Sequence, residues 1–319
     1  MSKKKSVGIL GAGAFGTALA LVYRDKFDVT LFSCFDAHVK TMATTRINEF
    51  LNDYIIPDNI KIDSTTNAKA QQYDYLFWCF PLKPTPDILE ELISQIDTTD
   101  IIICSKGLLY DSSFIYDLFC QKLPSSNVAY LAGANFATEL ADGKISDADI
   151  ASSDINVANR FAKELTIDSF RLNPIDDIVG AQVAGSVKNV AAIACGIAYG
   201  LNLGANAHAT LVALALAEMA KLGLSLGAQK ETFYGFCGLG DLVLTASNAT
   251  SRNTSMGIEI VKGTQIQEIL KNSTCEGYDT LPQIISLAKQ NNVKLPICET
   301  VHKILFQNQS PSIITDVFK

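Results

Sequence analysis

Apolar residues follow two rhythms along this chain. In the first half they form short continuous runs rich in β-branched and aromatic residues: Ser6–Leu10, Val29–Phe32, Tyr75–Cys79, Ile101–Cys104 and Val128–Ala132. Such runs predict strands buried on both faces. Helical segments are predicted between them, over Gly16–Tyr23, Pro86–Ile96 with Glu90 and Glu91 on its polar side, and Asp111–Leu123. Strand–helix alternation predicts βαβ units and a parallel sheet. After about Pro174 strand signals become scarce. Long helices are predicted over Asp177–Tyr199 and Ala207–Gly223, and shorter ones over Glu268–Leu270, Thr280–Gln290 and Cys298–Phe306. Gly277, Pro282 and Pro296 read as breaks between them.

The predicted fold class is α/β: an N-terminal Rossmann-like doubly wound sheet over residues 1–174, then a mainly α-helical domain over 175–319. Ligands in such folds gather at the carboxyl ends of the strands. There is no internal repeat and no low-complexity linker.

The 319 residues suffice for two domains. Apolar residues make up 48% and charged ones 18%, which excludes wholesale disorder. A net charge of −7 argues against nucleic-acid binding. None of the eight cysteines forms CxxC or a zinc spacing, and most sit in apolar runs, so a reducing, cytoplasmic setting is expected. Lys3, Lys4 and Lys5 followed by VGILGAGAFGTALALV imitate a signal peptide. The glycine spacing inside that run has another explanation. No integral membrane segment is expected, because the apolar stretch around residue 188 is interrupted by Gly, Gln182, Asn189, Asn202 and Asn206.

Gly11-Ala12-Gly13-Ala14-Phe15-Gly16 fits G-x-G-x-x-G. It follows the strand Val7–Leu10 and opens a helix, which is the context the motif requires. The first glycine permits the turn, the second lets a pyrophosphate approach, and the third lets helix and strand pack. The acid expected about 20 positions on is unclear: the second strand ends Leu31-Phe32-Ser33-Cys34, and Asp36 falls past it. No arginine stands there either, so NAD and NADP are not distinguished.

Lys188 is the only formal charge between Asp177 and Glu218. On composition alone it reads as a lysine whose head snorkels to water. Asp241 is the only charge between Glu231 and Arg252, and a carboxylate in so apolar a stretch calls for a cation such as Lys188. Arg252, flanked by Ser251 and Asn253, suits a phosphate dianion. Lys106 follows the fourth predicted strand. His38, His208 and His302 read as surface or satisfied helix residues.

Several segments in order resemble the bacterial type of NAD(P)-dependent glycerol-3-phosphate dehydrogenase. They are GAGAFGTALA at 11–20, Asn52–Pro57, Ser105-Lys106-Gly107, GSVKNVAAIACG at 185–196, GLGDL at 238–242, Ser251-Arg252-Asn253, Glu276-Gly277 and Lys294–Ile297. The resemblance spans residues 7 to about 306, and the lysine segment with GLGD and SRN is its specific part. It implies reduction of dihydroxyacetone phosphate to sn-glycerol 3-phosphate with NADH or NADPH, supplying phospholipid synthesis, by a homodimer. It further implies Lys188 as the proton donor. Substrate contacts would come from Lys106, Gly133, Asn135, Lys188, Asp241, Ser251, Arg252 and Asn253. Cofactor contacts would come from Gly11, Gly13, Ala14, Phe15, Gly16, Tyr54, Lys106, Ala137, Arg252, Thr274 and Glu276. No metal is implied.

Four positions, at three sites, depart from the family pattern. Phe15 replaces the usual tryptophan, Ala134-Asn135 replaces Pro-Ser, and Cys34 stands where a basic residue often holds the adenosine phosphate. Two other readings compete: a ketopantoate- or β-hydroxyacid-type reductase, whose substrates carry a carboxylate, and a non-catalytic dinucleotide sensor.

Overall fold

The structure is a computed structural model describing residues 4–68, 72–82 and 86–319. Lys3 of the basic N-terminal cluster lies outside the described residues. The chain divides into two compact units. The first holds Met1–Ser105, Ile115–Leu131 and Asn135–Asp176; the second holds Lys106–Phe114, Ala132–Ala134 and Asp177–Lys319.

In the first unit the elements run β1 (Ser6–Leu10), α1 (Ala14–Tyr23), β2 (Asp28–Ser33), α2 (Asp36–Thr45), β3 (Lys61–Ser64), α3 (Thr65–Ala68), β4 (Tyr75–Trp78) and α4 (Pro86–Ile93). They continue β5 (Asp100–Ile103), α5 (Ile115–Lys122), β6 (Asn127–Gly133), α6 (Ala137–Ala141), β7 (Ser146–Ala151), α7 (Ile155–Leu165) and β8 (Phe170–Ile175). The strands form one sheet in the order β3-β2-β1-β4-β5-β6-β7-β8. Pairing from β3 through β6 is parallel, as is that of β7 with β8. Strand order reverses beside β1, the switch point at which such sheets bind ligands.

Alternate residues of the central strands pack on opposite faces. Val7, Ile9, Tyr75 and Phe77 belong to a core with Leu19, Tyr23 and Phe161. Trp78, the only tryptophan, is fully buried on the other face. The rings of Phe80 and Phe119 meet it edge-on, with centroids 5.1 Å away.

Three strands were not anticipated. β3, KIDS, is short and half polar. β7 carries Asp147 and Asp149, and β8 carries Arg171, Asn173 and Pro174. Cross-strand pairing explains the last two. Asp147 lies opposite Arg171 and Asp149 opposite Asn173, and both pairs are hydrogen-bonded. Pro174 is tolerated because β8 is an edge strand.

The second unit is built on α8 (Ile178–Gly200), with α9 (Gly204–Ser225), α10 (Asp241–Ala246), α11 (Arg252–Val261), α12 (Ile266–Asn272), α13 (Glu276–Gln290) and α14 (Pro296–Phe306). Every residue of α8 from Gly180 to Ala198 is buried. Its side chains are small on all sides, as a central helix requires. α11 crosses it at Gly196 and Gly257. A Cβ on Gly196 would lie 2.1 Å from the Thr254 carbonyl oxygen, and one on Gly257 would lie 2.2 Å from that of Ile193.

One expectation is corrected here. Gly277 and Pro282 do not break a helix; both lie inside α13. A Cβ at Gly277 would strike the Asn189 carbonyl oxygen, so glycine is what allows α13 to start against α8. Pro282 removes only one helical hydrogen bond. Pro296 opens α14, where its missing N–H costs nothing. By length and composition alone, α8 and α9 are both long and apolar enough to cross a membrane. The most apolar stretch of α8 is 89% buried, that of α9 33%.

Candidate active site

In the first unit β1 passes into α1 through Gly11–Gly16, with Gly13 at the helix N-cap. Gly11 has φ +110°, and a Cβ there would press on the Cys79 carbonyl group at 2.8 Å. Only glycine fits. A Cβ on Gly16 would lie 2.1 Å from the Gly11 carbonyl oxygen, whereas nothing lies within 4 Å of one on Gly13. The turn is thus closed beneath and open at Gly13, the cradle a pyrophosphate needs at a helix N-terminus. Ala14 and Phe15 form the first turn of α1.

Asn48 fixes this turn from outside. Its fully buried amide donates to the Ala12 carbonyl at 3.0 Å and to the Thr17 hydroxyl at 2.6 Å. Its oxygen meets His38 Nε2 at 3.1 Å, while His38 Nδ1 meets the Ser33 hydroxyl at 3.0 Å. Also in this unit, the Tyr54 hydroxyl donates to Asp142 at 2.6 Å and to the Thr138 carbonyl at 2.9 Å. The Asp142 bond is the main reason the Tyr54 phenol is pushed up to about 12. Ala137 opens α6, and the Asn135 amide donates to the Asp147 carbonyl at 3.1 Å.

The second unit contains a buried charge cluster. Lys188 projects from the middle of α8, and Asp241 is the first residue of α10. Lys188 Nζ donates to Asp241 Oδ1 at 2.6 Å and to the Thr245 hydroxyl at 2.9 Å. Lys106 Nζ donates to the other oxygen, Oδ2, at 2.6 Å, and to the Gly133 carbonyl at 3.3 Å. One carboxylate therefore bridges two ammonium groups. Its side chain is 2% exposed, that of Lys188 8%, and that of Lys106 18%.

Asp241 follows a π-helical turn, Phe236–Gly240. A Cβ on Gly238 would lie 2.3 Å from the Phe233 carbonyl oxygen, so this glycine is needed for the turn to fold down. Turns of this kind recur where a helix must re-aim a functional side chain.

Burial pulls the Lys188 ammonium down to about 8, and the Lys106 charge adds to the shift against the pull of Asp241. Burial also opposes the charge on Lys106, but Asp241 outweighs it and holds that lysine above its ordinary value. Asp241 is held below the ordinary carboxylate range: burial opposes its charge and the two lysines overcome that. The group tuned toward neutrality is Lys188, the condition for proton transfer near neutral pH.

A second network adjoins it. The Asn189 amide donates to Glu276 Oε2 at 3.1 Å, and its oxygen accepts from the Asn253 amide at 3.0 Å. Asn253 Oδ1 accepts from the Gly277 N–H at 3.0 Å. Arg252 opens α11 and bonds the Thr274 hydroxyl. Ser251 is the buried N-cap residue of α11, although its side chain makes no capping bond.

The structure thus gathers Lys106, Gly133, Lys188 and Asp241 into one cluster, links Asn253 to Glu276 through Asn189, and pairs Arg252 with Thr274. The glycine turn, Tyr54, Asn135 and Ala137 belong to the first unit. The three histidines have other partners: His38 as above, His208 at the Ala246 carbonyl, and His302 stacked on Phe306. Two participants escaped sequence reasoning. Thr245 lies four residues beyond Asp241 on one helix face, a usable signal. Asn189 neighbours Lys188, but its bond to Glu276 spans 87 residues and leaves no local trace.

Comparison with known proteins gives a consistent picture. Residues 6–158 match the family model described as the N-terminus of NAD-dependent glycerol-3-phosphate dehydrogenase, and residues 177–316 match that of its C-terminus. The chain is 36% identical to the glycerol-3-phosphate dehydrogenase [NAD(P)+] of Maricaulis maris, over 96% of this chain and 93% of that one. It is 39% identical to the enzyme of the same name from Francisella tularensis subsp. mediasiatica, over 97% and 95%. The crystal structure of glycerol-3-phosphate dehydrogenase from Coxiella burnetii superposes with a TM-score of 0.93 at 30% identity, covering 99% of each chain.

Proposed function

Because the chain belongs to the NAD-dependent glycerol-3-phosphate dehydrogenase family, we infer that it interconverts dihydroxyacetone phosphate and sn-glycerol 3-phosphate. The observation that carries this reading is the buried Lys188 ammonium, held by Asp241 and Thr245 and tuned toward neutrality.

The nicotinamide of NAD(P)H supplies the hydride when bound. The chain's own residues have to place the ketone and handle a proton. Lys188 donates a proton from Nζ to the ketone oxygen in reduction and takes it back in oxidation. Asp241 keeps Lys188 protonated at neutral pH and aims it, and Thr245 fixes the second donor direction. Lys106 shares the carboxylate and places a further positive charge beside the developing alkoxide. Arg252, with the backbone N–H groups opening α11, binds the phosphate. Residues 1–174 bind the dinucleotide, with Gly11–Gly16 around the pyrophosphate and Glu276 as a contact from the helical region; residues 175–319 carry the proton chemistry.

Glycerol 3-phosphate made here supplies phospholipid synthesis in the cytoplasm, a setting that eight free thiols suit. The apolar surface left open on α9 supports a homodimer, which sedimentation would test.

A carboxylate-bearing ketoacid is disfavoured by Arg252 at a helix start, which suits a dianion. A sensor without catalysis is disfavoured by the intact Lys106–Asp241–Lys188 cluster. The deciding experiment is a steady-state assay of dihydroxyacetone phosphate and of ketopantoate with NADH and NADPH, on the native protein and Lys188→Ala. Turnover of the triose phosphate that falls at least about 10²-fold in the variant, with coenzyme binding retained, is expected. Near-normal activity of Lys188→Ala would remove the lysine from its role, and no turnover of the triose phosphate by the native protein would remove the function.

A further inference from the structure

The glycine turn is tied to the first turn of α2. The Gly11 N–H donates to the Phe32 carbonyl at 3.1 Å, near the carboxyl end of β2. From there Ser33, His38 and Asn48 form the hydrogen-bonded chain that returns to Ala12. That chain fixes where α2 begins relative to the cradle. α2 begins at Asp36, 20 residues after Gly16, the distance at which dinucleotide folds place the group that meets the adenosine ribose.

The Asp36 carboxylate is itself positioned. Its Oδ1 accepts from the Ser64 hydroxyl at 3.1 Å at the end of the neighbouring strand β3. Asp63 stands opposite Phe32 in the same register and bonds Ser64 N–H and Asn67. Two carboxylates therefore flank this corner. Among the described residues, the cations nearby in the sequence are committed or displaced. Arg46 donates to the carbonyls of Ile56, Pro57 and Ile60. Lys40 lies one helical turn beyond Asp36, and Lys61 is at the opposite end of β3. His38 uses both ring nitrogens in the chain to Asn48. Cys34 and Phe35, between Ser33 and Asp36, carry no charge.

We propose that this corner makes the enzyme selective for NADH over NADPH, with Asp36 as the residue that sets the preference. A ribose 2′-hydroxyl can donate to the free oxygen of Asp36. A 2′-phosphate brings close to two negative charges to the same place, against a carboxylate and, among the described residues, with no guanidinium to receive it. The inference rests on the dehydrogenase reading and deepens it by naming the coenzyme.

The test is equilibrium binding, read from the fluorescence of the reduced nicotinamide, for NADH and NADPH on the native protein, Asp36→Asn and Cys34→Arg. NADH is expected to bind about tenfold more tightly, the size of one partly screened charge repulsion. The gap should narrow with added salt, because the repulsion is between exposed charges. Asp36→Asn should narrow it by strengthening NADPH, and Cys34→Arg should strengthen NADPH further. Equal or tighter binding of NADPH by the native protein overturns the inference, as does an unchanged ratio in Asp36→Asn. Failure to bind either dinucleotide would instead sink the dehydrogenase reading itself, so the two failures are told apart.

Discussion

Replacing Asp241 with asparagine tests the shared carboxylate most directly. The variant keeps the shape but leaves two buried ammonium groups without their counter-charge. At 2.6 Å and an effective dielectric of about 20, the bare attraction between Lys188 and Asp241 is about 6 kcal/mol. At 1.36 kcal/mol per unit that would move the lysine by about four units, an upper bound. Water entry and movement of the flexible lysine reduce it, and nearby opposite charges shift such groups by about 1–3 units. Lys188 titrates at about 8 in the native protein. It must be protonated to reduce a ketone, so the reduction rate should fall as pH rises through about 8, and the oxidation rate should rise over the same range. In Asp241→Asn the alkaline limb of reduction should move to about 5–7, leaving the lysine mostly neutral at neutral pH. Reduction at pH 7 should drop about 2- to 100-fold, following the protonated fraction, and recover partly on acidification. The assay follows loss of NADH absorbance at saturating triose phosphate, with circular dichroism to confirm folding. A limb that stays put, or moves to higher pH, would show that Asp241 does not keep Lys188 charged.

Three further outcomes follow from other parts of the molecule. Arg252→Ala should raise KM for dihydroxyacetone phosphate about 10- to 100-fold, the loss of a charged hydrogen bond, while affecting the slow reduction of phosphate-free dihydroxyacetone far less; steady-state kinetics on both substrates decides. Burial pushes the Glu218 carboxyl up to about 7, where it accepts the N–H groups of Ile297 and Cys298 that open α14. The folded state therefore holds a proton that the unfolded state releases near 4.5, so Glu218 makes stability fall as pH rises between those values, by about 3 kcal/mol in all. Thermal melts against pH should show that decline in the native protein and a flatter profile in Glu218→Gln. Gly257→Ala should destabilise by about 1–3 kcal/mol or more, because the added carbon meets backbone of α8 rather than a movable side chain; a native-like melting temperature would show that the helices can part freely.

The five strands built on continuous apolar runs were legible because a strand covered on both faces has little choice of residue. β7 and β8 were not. Their Asp147, Asp149, Arg171 and Asn173 look like loop residues until the register sets acid against its partner across two strands, and no local pattern carries that information. Gly277 and Pro282 misled for a related reason, since packing against α8 overrides their local preference. At the site, Lys188 and Asp241 stood out as isolated charges in apolar runs. Lys106 did not reveal that it shares Asp241, because 135 residues separate them. Nor did the sequence show that Lys106–Phe114 packs with the helical unit.

The placement of Trp78 makes the two units separately observable. As the single tryptophan, sealed between Phe80 and Phe119 in the first unit, it gives an emission signal to which the second unit contributes no indole. The long helices of that second unit dominate the far-ultraviolet dichroism. A denaturation followed by both signals therefore reads two halves of the molecule in one tube. Coincident transitions would mean that the halves unfold as one cooperative body, and displaced ones that each melts by itself. No label or engineered chromophore is needed.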